Sequence, residues 1–181
     1  MAWLILDRDG VINHDSDAFI RAPEEWLPIP GSIAAMARLT RAGWRVTIAT
    51  NQSGLARGLF DESTLAAIHD KLDGTVCAAG GRVDALVYCP HGPDDGCHCR
   101  KPRPGLYQEL AHRLGERLEG VPVVGDSARD LEAAAAVGAR PILVRTGKGE
   151  ATLARGGLPA GTEVYADLAA AVTRLLDEEK R

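Results

Sequence analysis

Five short apolar runs in this chain stop at polar or turn-forming residues, and helical patterns fill the gaps between them. Trp3–Leu6 stops at Asp7, and Arg45–Thr50 runs into Asn51-Gln52-Ser53-Gly54. Asp84–Tyr88 leads into a cysteine-rich loop, Val121–Val124 ends in Gly125-Asp126-Ser127, and Pro141–Val144 follows. Between them, Ile33–Arg41 has helical spacing closed by Gly43, and Asp61 is placed to cap a helix carrying Leu65, Ile68 and Leu72. Pro104-Gly105 opens a helix through about Leu118, Asp130–Val137 reads as another, and Val164-Tyr165 with Asp167–Leu176 reads as a strand and a final helix. Strands alternating with helices predict an α/β fold: three layers around a mostly parallel central sheet. Residues 1–181 are expected to form a single domain, with Gly147–Gly161 as a surface loop.

Charge narrows the partners. Lys+Arg 21 against Asp+Glu 25 gives a net −4, which argues against nucleic acid or an anionic membrane, since both reward a basic surface. No apolar run is long enough to span a bilayer, and the first residues lack the basic region of a signal peptide, so a cytoplasmic protein is expected.

In a parallel sheet, ligands bind at the carboxyl ends of the strands. There the sequence puts Asp7, Asp9, Thr50, Asn51, Gln52, Ser53, Lys101 and Asp126. Crowded carboxylates repel and require a cation, and an all-oxygen site suits Mg2+. Against that cation the Asp7 carboxylate can attack phosphorus and form an aspartyl-phosphate. Asp9, two residues on, can protonate the leaving oxygen and then deprotonate the hydrolytic water. Lys101, Thr50 and backbone N–H groups supply positive charge for the transferring oxygens, and Asp126 completes the metal site.

The loop after the third strand carries Cys89-x-His91, five residues, then Cys97-x-Cys99. Four soft or borderline ligands in so short a segment match a closed, structural Zn2+ site, with Pro93-Asp94-Asp95-Gly96 as the turn that folds the halves together. Such a site would rigidify the loop and aim Arg100 and Lys101 at the crevice. His98 is left out because its side chain should point away from its neighbours'. Cys77 is expected to be a small core residue, and His69 and His112 to be surface residues.

Asp7-Arg8-Asp9-Gly10-Val11-Ile12-Asn13, Thr50-Asn51-Gln52-Ser53-Gly54, Cys99-Arg100-Lys101-Pro102 and Gly125-Asp126-Ser127-x-x-Asp130 resemble the four motifs of the haloacid dehalogenase superfamily of phosphatases. More narrowly, about Leu4 to Lys148 is similar to the D-glycero-D-manno-heptose 1,7-bisphosphate 7-phosphatase family, on Asn51–Gly58, the zinc loop, Arg100-Lys101-Pro102-x-Pro104-Gly105 and Val144-Arg145-Thr146-Gly147. The resemblance implies a Rossmann-like fold without a large cap, the zinc loop replacing part of one. It implies Mg2+ held by the Asp7 carboxylate, the Asp9 backbone carbonyl and Asp126. It further implies that Asp15 and the Thr50–Ser53 loop contact substrate and that Arg100 recognises the sugar bisphosphate. The reaction implied is removal of the 7-phosphate during synthesis of the ADP-heptose precursor of lipopolysaccharide, by a protein expected to be a monomer. Two positions depart from the family: Asp17-Ala18 where Gly-Tyr is common, and Ser127 where some members carry lysine. The rival readings are a histidinol-phosphate or other small sugar-phosphate phosphatase and, outside enzymes, a zinc-stabilised binding module.

Overall fold

The structure, a computed structural model, describes residues 2–180. Its elements in chain order are β1 (Trp3–Leu6), α1 (Ser32–Arg41), β2 (Arg45–Asn51), α2 (Glu62–Ala78), β3 (Ala85–Cys89), α3 (Gly105–Leu114), β4 (Pro122–Gly125), α4 (Ala128–Ala135), β5 (Arg140–Val144), α5 (Gly149–Arg155), β6 (Glu163–Tyr165) and α6 (Leu168–Glu178). The six strands form one parallel sheet in the order β3-β2-β1-β4-β5-β6. From β1 the chain winds outward through β2 and β3, then returns to place β4 on the other side of β1. That reversal opens a crevice at the carboxyl ends of β1 and β4.

The three layers follow from side-chain alternation along strands buried on both faces. Leu4 and Leu6 point into one core, packed with Met36 and Leu39 of α1, Ile68 and Leu72 of α2 and Val172 and Leu175 of α6. Trp3 and Ile5 point into the other, with Leu106, Tyr107 and Leu110 of α3 and Ala133 and Ala134 of α4. Fully burying a side chain such as Leu4 or Ile5 contributes about 2 kcal/mol. Asp61 caps α2 as expected, its Oδ1 accepting from the Thr64 N–H at 2.8 Å.

Several expectations need correction. The helix from Gly105 stops at Leu114, four residues early, because Gly115 turns into the left-handed region (φ 65) and ends it. Gly147–Gly161 is not one loop: it contains α5, whose Thr152 is buried and donates to the Asp126 carbonyl at 2.9 Å. Its glycines hide a helix that tertiary contact holds in place. A Cβ on Gly149 would lie 1.8 Å from the Val144 carbonyl oxygen, so glycine there permits the close approach. Cys77 is exposed on α2 and is not a core residue. His69 is not a surface residue either; it reaches from α2 to the Arg8 guanidinium. Among the described residues no helix is long and apolar enough to cross a membrane.

Candidate active site

The crevice at the β1/β4 reversal has a volume of about 250 Å3, and every expected crevice residue lines it: Asp7, Asp9, Asp15, Thr50, Asn51, Gln52, Ser53, Arg100, Lys101 and Asp126. Asp7 directly follows β1 and Asp126 directly follows β4, so the sheet itself brings them together. Lys101 is almost fully buried, with its Nζ 3.0 Å from Asp7 Oδ1, 2.6 Å from Asp130 Oδ1 and donating to the Ala49 carbonyl at 2.8 Å. Burial alone would lower its pKa, but Asp130 and Asp7 hold it above the ordinary lysine range. The Lys101 main chain is fixed by Asn51, whose side chain accepts from its N–H at 3.1 Å and donates to its carbonyl at 3.2 Å.

Oxygens of Asp7, Asp126 and Asp130 lie within 4.8 Å of one another. Burial, then the charge of the neighbouring carboxylates against the pull of Lys101, pushes Asp7 up to about 7. Burial and the same repulsion push Asp126 up to about 8. Asp130 is held below its ordinary value despite burial, because Lys101 and Ser127 engage both its oxygens. That leaves Asp7 and Asp126 as the carboxylates able to take a cation. Asp126 is itself fixed: Lys148 N–H donates to its Oδ2 at 2.8 Å, and a Cβ on Gly10 or Gly147, both at positive φ, would come within 2.0 or 2.2 Å of that oxygen. Only glycine fits at either place.

Asp9 faces a different environment. Arg8, with no exposed surface, donates Nε to its Oδ1 at 3.0 Å and Nη2 to its Oδ2 at 3.1 Å. Asn13 adds a hydrogen bond at 2.9 Å, and Gln52, also bonded to Thr50, adds one at 3.1 Å. Burial would raise the Asp9 pKa, but these donors hold it below the usual carboxylate range. Sequence reasoning gave no role to Arg8 or Asp130, although both lie in the motifs that carry the resemblance, and did not place His69 or Lys148 at the site; Asp130 carried a further local signal, as the N3 partner of Ser127 in a capping box at the start of α4. At the mouth, Asp15 pairs with Lys148 at 3.2 Å, whereas Arg57, Arg100 and Arg129 have no carboxylate within ion-pair distance among the described residues.

The second cluster is Cys89, His91, Cys97 and Cys99, without His98. Sγ···Sγ and Sγ···Nδ1 separations run from 3.2 to 3.7 Å. The edges of a tetrahedral thiolate–imidazole zinc site are roughly 3.5–3.8 Å by the usual bond lengths. Burial and the neighbouring thiols push Cys89 up to about 12. Arg100 follows this loop and donates to the His91 carbonyl at 3.3 Å.

The HAD-hydrolase-like family model matches residues 98–171. A D-glycero-beta-D-manno-heptose-1,7-bisphosphate 7-phosphatase of Bordetella bronchiseptica is 61% identical over 178 residues, 98% of this chain and 99% of that protein. One of Pseudomonas aeruginosa is 56% identical over 173 residues, 96% of this chain and 97% of the relative. The crystal structure of the B. bronchiseptica D,D-heptose 1,7-bisphosphate phosphatase complexed with magnesium and phosphate matches with a TM-score of 0.97 at 61% identity, covering 98% of this chain and 99% of that one. That from Burkholderia thailandensis matches with a TM-score of 0.78 at 47% identity, covering 97% and 99%. The chain belongs to the D-glycero-beta-D-manno-heptose-1,7-bisphosphate 7-phosphatase family of HAD-like phosphatases.

Proposed function

We propose that this protein hydrolyses the 7-phosphate of D-glycero-β-D-manno-heptose 1,7-bisphosphate in a Mg2+-dependent reaction through an aspartyl-phosphate. The observation that carries the reading is the Asp7 carboxylate, set between the Lys101 ammonium at 3.0 Å and the buried Asp126 in the crevice. The two carboxylates fit Mg2+ because the one buried lysine, shared between Asp7 and Asp130, leaves them short of compensating charge, and among the described residues the Asp126 side chain accepts only from the Lys148 N–H within its glycine cradle. Bound there, the ion lowers the negative charge of the carboxylates and of the phosphoryl group.

An oxygen of Asp7 attacks phosphorus while the bond to the C7 oxygen breaks, and Asp9 gives that oxygen its proton. The approaching phosphate dianion supplies the negative charge that favours a protonated Asp9 at this stage. Asp9, now a carboxylate, takes a proton from water as that water attacks the aspartyl-phosphate, and phosphate leaves with Asp7 restored. Lys101 and Thr50 balance charge on the transferring oxygens. Asp15 and the Thr50–Ser53 loop hold the sugar. The distal phosphate meets the guanidiniums of Arg57, Arg100 and Arg129 at the mouth, none of them ion-paired among the described residues, Arg57 being steadied 5.5 Å over the Phe19 ring.

The four-residue Cys/His cluster holds a structural zinc, closed to water, that fixes the chain leading into Arg100 and Lys101. Elemental analysis of the purified protein should find about one zinc per chain; none in active protein overturns this part. The substrate is tested by comparing kcat/KM for the β and α anomers of the bisphosphate, the 7-monophosphate and histidinol phosphate. The β bisphosphate is expected to be preferred, and a higher value on histidinol phosphate overturns the reading.

A further inference from the structure

Beside the reacting groups the structure holds a buried cation and an imidazole that the chemistry above does not use. The Arg8 side chain has no exposed surface, so each of its N–H groups needs an acceptor inside the protein. Its Nε and Nη2 are taken by Asp9. Its Nη1 lies 3.1 Å from Nε2 of His69, which comes 61 residues later on α2. Arginine only donates, so His69 Nε2 must accept, which requires a neutral ring with its proton on Nδ1. The surroundings agree: burial first, then the adjacent Arg8 charge, push His69 down to about 4 against the opposite pull of Asp9. The ring packs 6.0 Å, centroid to centroid, from that of Tyr88 on β3, at 53°.

We propose that His69 is a positioning residue for the phosphatase reaction: its neutral imidazole accepts a hydrogen bond from Arg8, and Arg8 in turn fixes the Asp9 carboxylate in the crevice. The inference rests on the reading of Asp9 as the acid/base. Without the imidazole, the Nη1 hydrogens are stranded away from water, and the guanidinium turns toward another acceptor. Asp9 is then left with Asn13 and Gln52, whose amide groups also serve the His14 carbonyl and Thr50. Proton transfer suffers, while phosphate binding, carried by Lys101 and Thr50, does not.

The test compares His69→Phe and His69→Leu, which remove the acceptor while keeping bulk against Tyr88, with His69→Gln, which keeps an acceptor. Steady-state kinetics with Mg2+ and the heptose bisphosphate should show kcat about 10-fold lower in the Phe and Leu variants, with KM unchanged. His69→Gln should recover to within about threefold of the parent. Equal loss in all three variants, a loss confined to KM, or kcat within twofold of the parent in the Phe variant overturns the proposal. Nitrogen NMR of the wild-type ring tests it without substitution: the Nδ1–H tautomer is expected at neutral pH, and an Nε2–H tautomer overturns it. The underlying reading fails separately, if Asp9→Asn keeps full kcat.

Discussion

Asp7 and Asp9 are the same side chain two residues apart, yet they belong to oppositely charged halves of the crevice. The half toward β4 gathers Asp7, Asp126 and Asp130 around one lysine, and burial plus repulsion lift Asp7 to about 7 and Asp126 to about 8. The half toward β2 and α2 surrounds Asp9 with Arg8, Asn13 and Gln52, and its pKa falls. One half is short of positive charge and, on the proposed reading, is completed by a cation from solution. The other carries its own buried cation. On the proposed reading, the difference is how one strand end separates a nucleophile from an acid/base: Asp7 would be balanced by a removable charge, Asp9 by a permanent one.

Exchanging each carboxylate for its amide gives the largest contrast. Asp7→Asn removes the attacking oxygen, and kcat should fall at least about 10^4-fold. Asp9→Asn removes proton transfer only, and the loss should be about 10^2- to 10^3-fold. Phosphate release measured on both variants, with thermal melts to show that both fold, checks the pair. Equal losses would mean that the two halves are not distinct in function.

Magnesium should read the same division through stability. A cation bound at 100 times its Kd stabilises the fold by about 2.7 kcal/mol. Wild type and Asp9→Asn should both melt higher when Mg2+ is added, and Asp126→Asn should not respond. A response lost in Asp9→Asn but kept in Asp126→Asn would put the cation in the wrong half.

The residues legible in the sequence are those whose place depends on local pattern. An apolar run that stops at Asp7 or at Gly125-Asp126 puts that carboxylate at a strand end whatever the rest of the chain does, and Asp61 announced its helix by the same short-range chemistry. The cluster of Cys89, His91, Cys97 and Cys99 was legible because eleven residues contain all four. What stayed hidden depends on approach between distant segments. Nothing near His69 announces Arg8, and nothing near Gly147 announces that it closes over Asp126, 21 positions earlier. α5 stayed hidden for a related reason: its glycines read as loop until Val144 and Asp126 are seen to need a backbone without side chains against them.

A pair of glycine substitutions isolates that closure. Gly10 and Gly43 have nearly the same backbone, φ +83 and +84, but a Cβ on Gly10 meets Asp126 Oδ2 at 2.0 Å while one on Gly43 meets nothing within 4 Å. Gly43→Ala should cost about 1 kcal/mol from backbone conformation alone. Gly10→Ala should cost about 1–3 kcal/mol more, because the Asp126 carboxylate must move, and should raise the Mg2+ concentration needed for half-maximal rate. Denaturant melts and a Mg2+ titration measure the two effects; equal costs would show that the cradle does not constrain Asp126.

Acid separates the halves by the smallest margin, and the sign of each contribution is fixed by its shift. His69 has a pKa of about 4 in the fold against 6.5 as its ordinary value. Between those values the unfolded chain binds a proton that the folded ring refuses, so this contribution is intact above about pH 6.5 and is lost as pH falls toward 4. Asp7, raised from 3.8 to about 7, works the other way: its contribution falls as pH rises through that window. The two partly cancel in the wild type, so the half containing His69 is read by subtraction. His69→Gln has no proton to refuse and leaves Asp7 untouched. Its stability relative to wild type should therefore rise by about 2 kcal/mol between pH 7.5 and pH 4, after allowance for the partial exposure of the ring. In a chain of this length that is roughly 4–8 °C in Tm. Metal-free thermal melts across the range measure it, and a difference that stays flat with pH would mean that the ring beside Arg8 accepts a proton as freely as one in water.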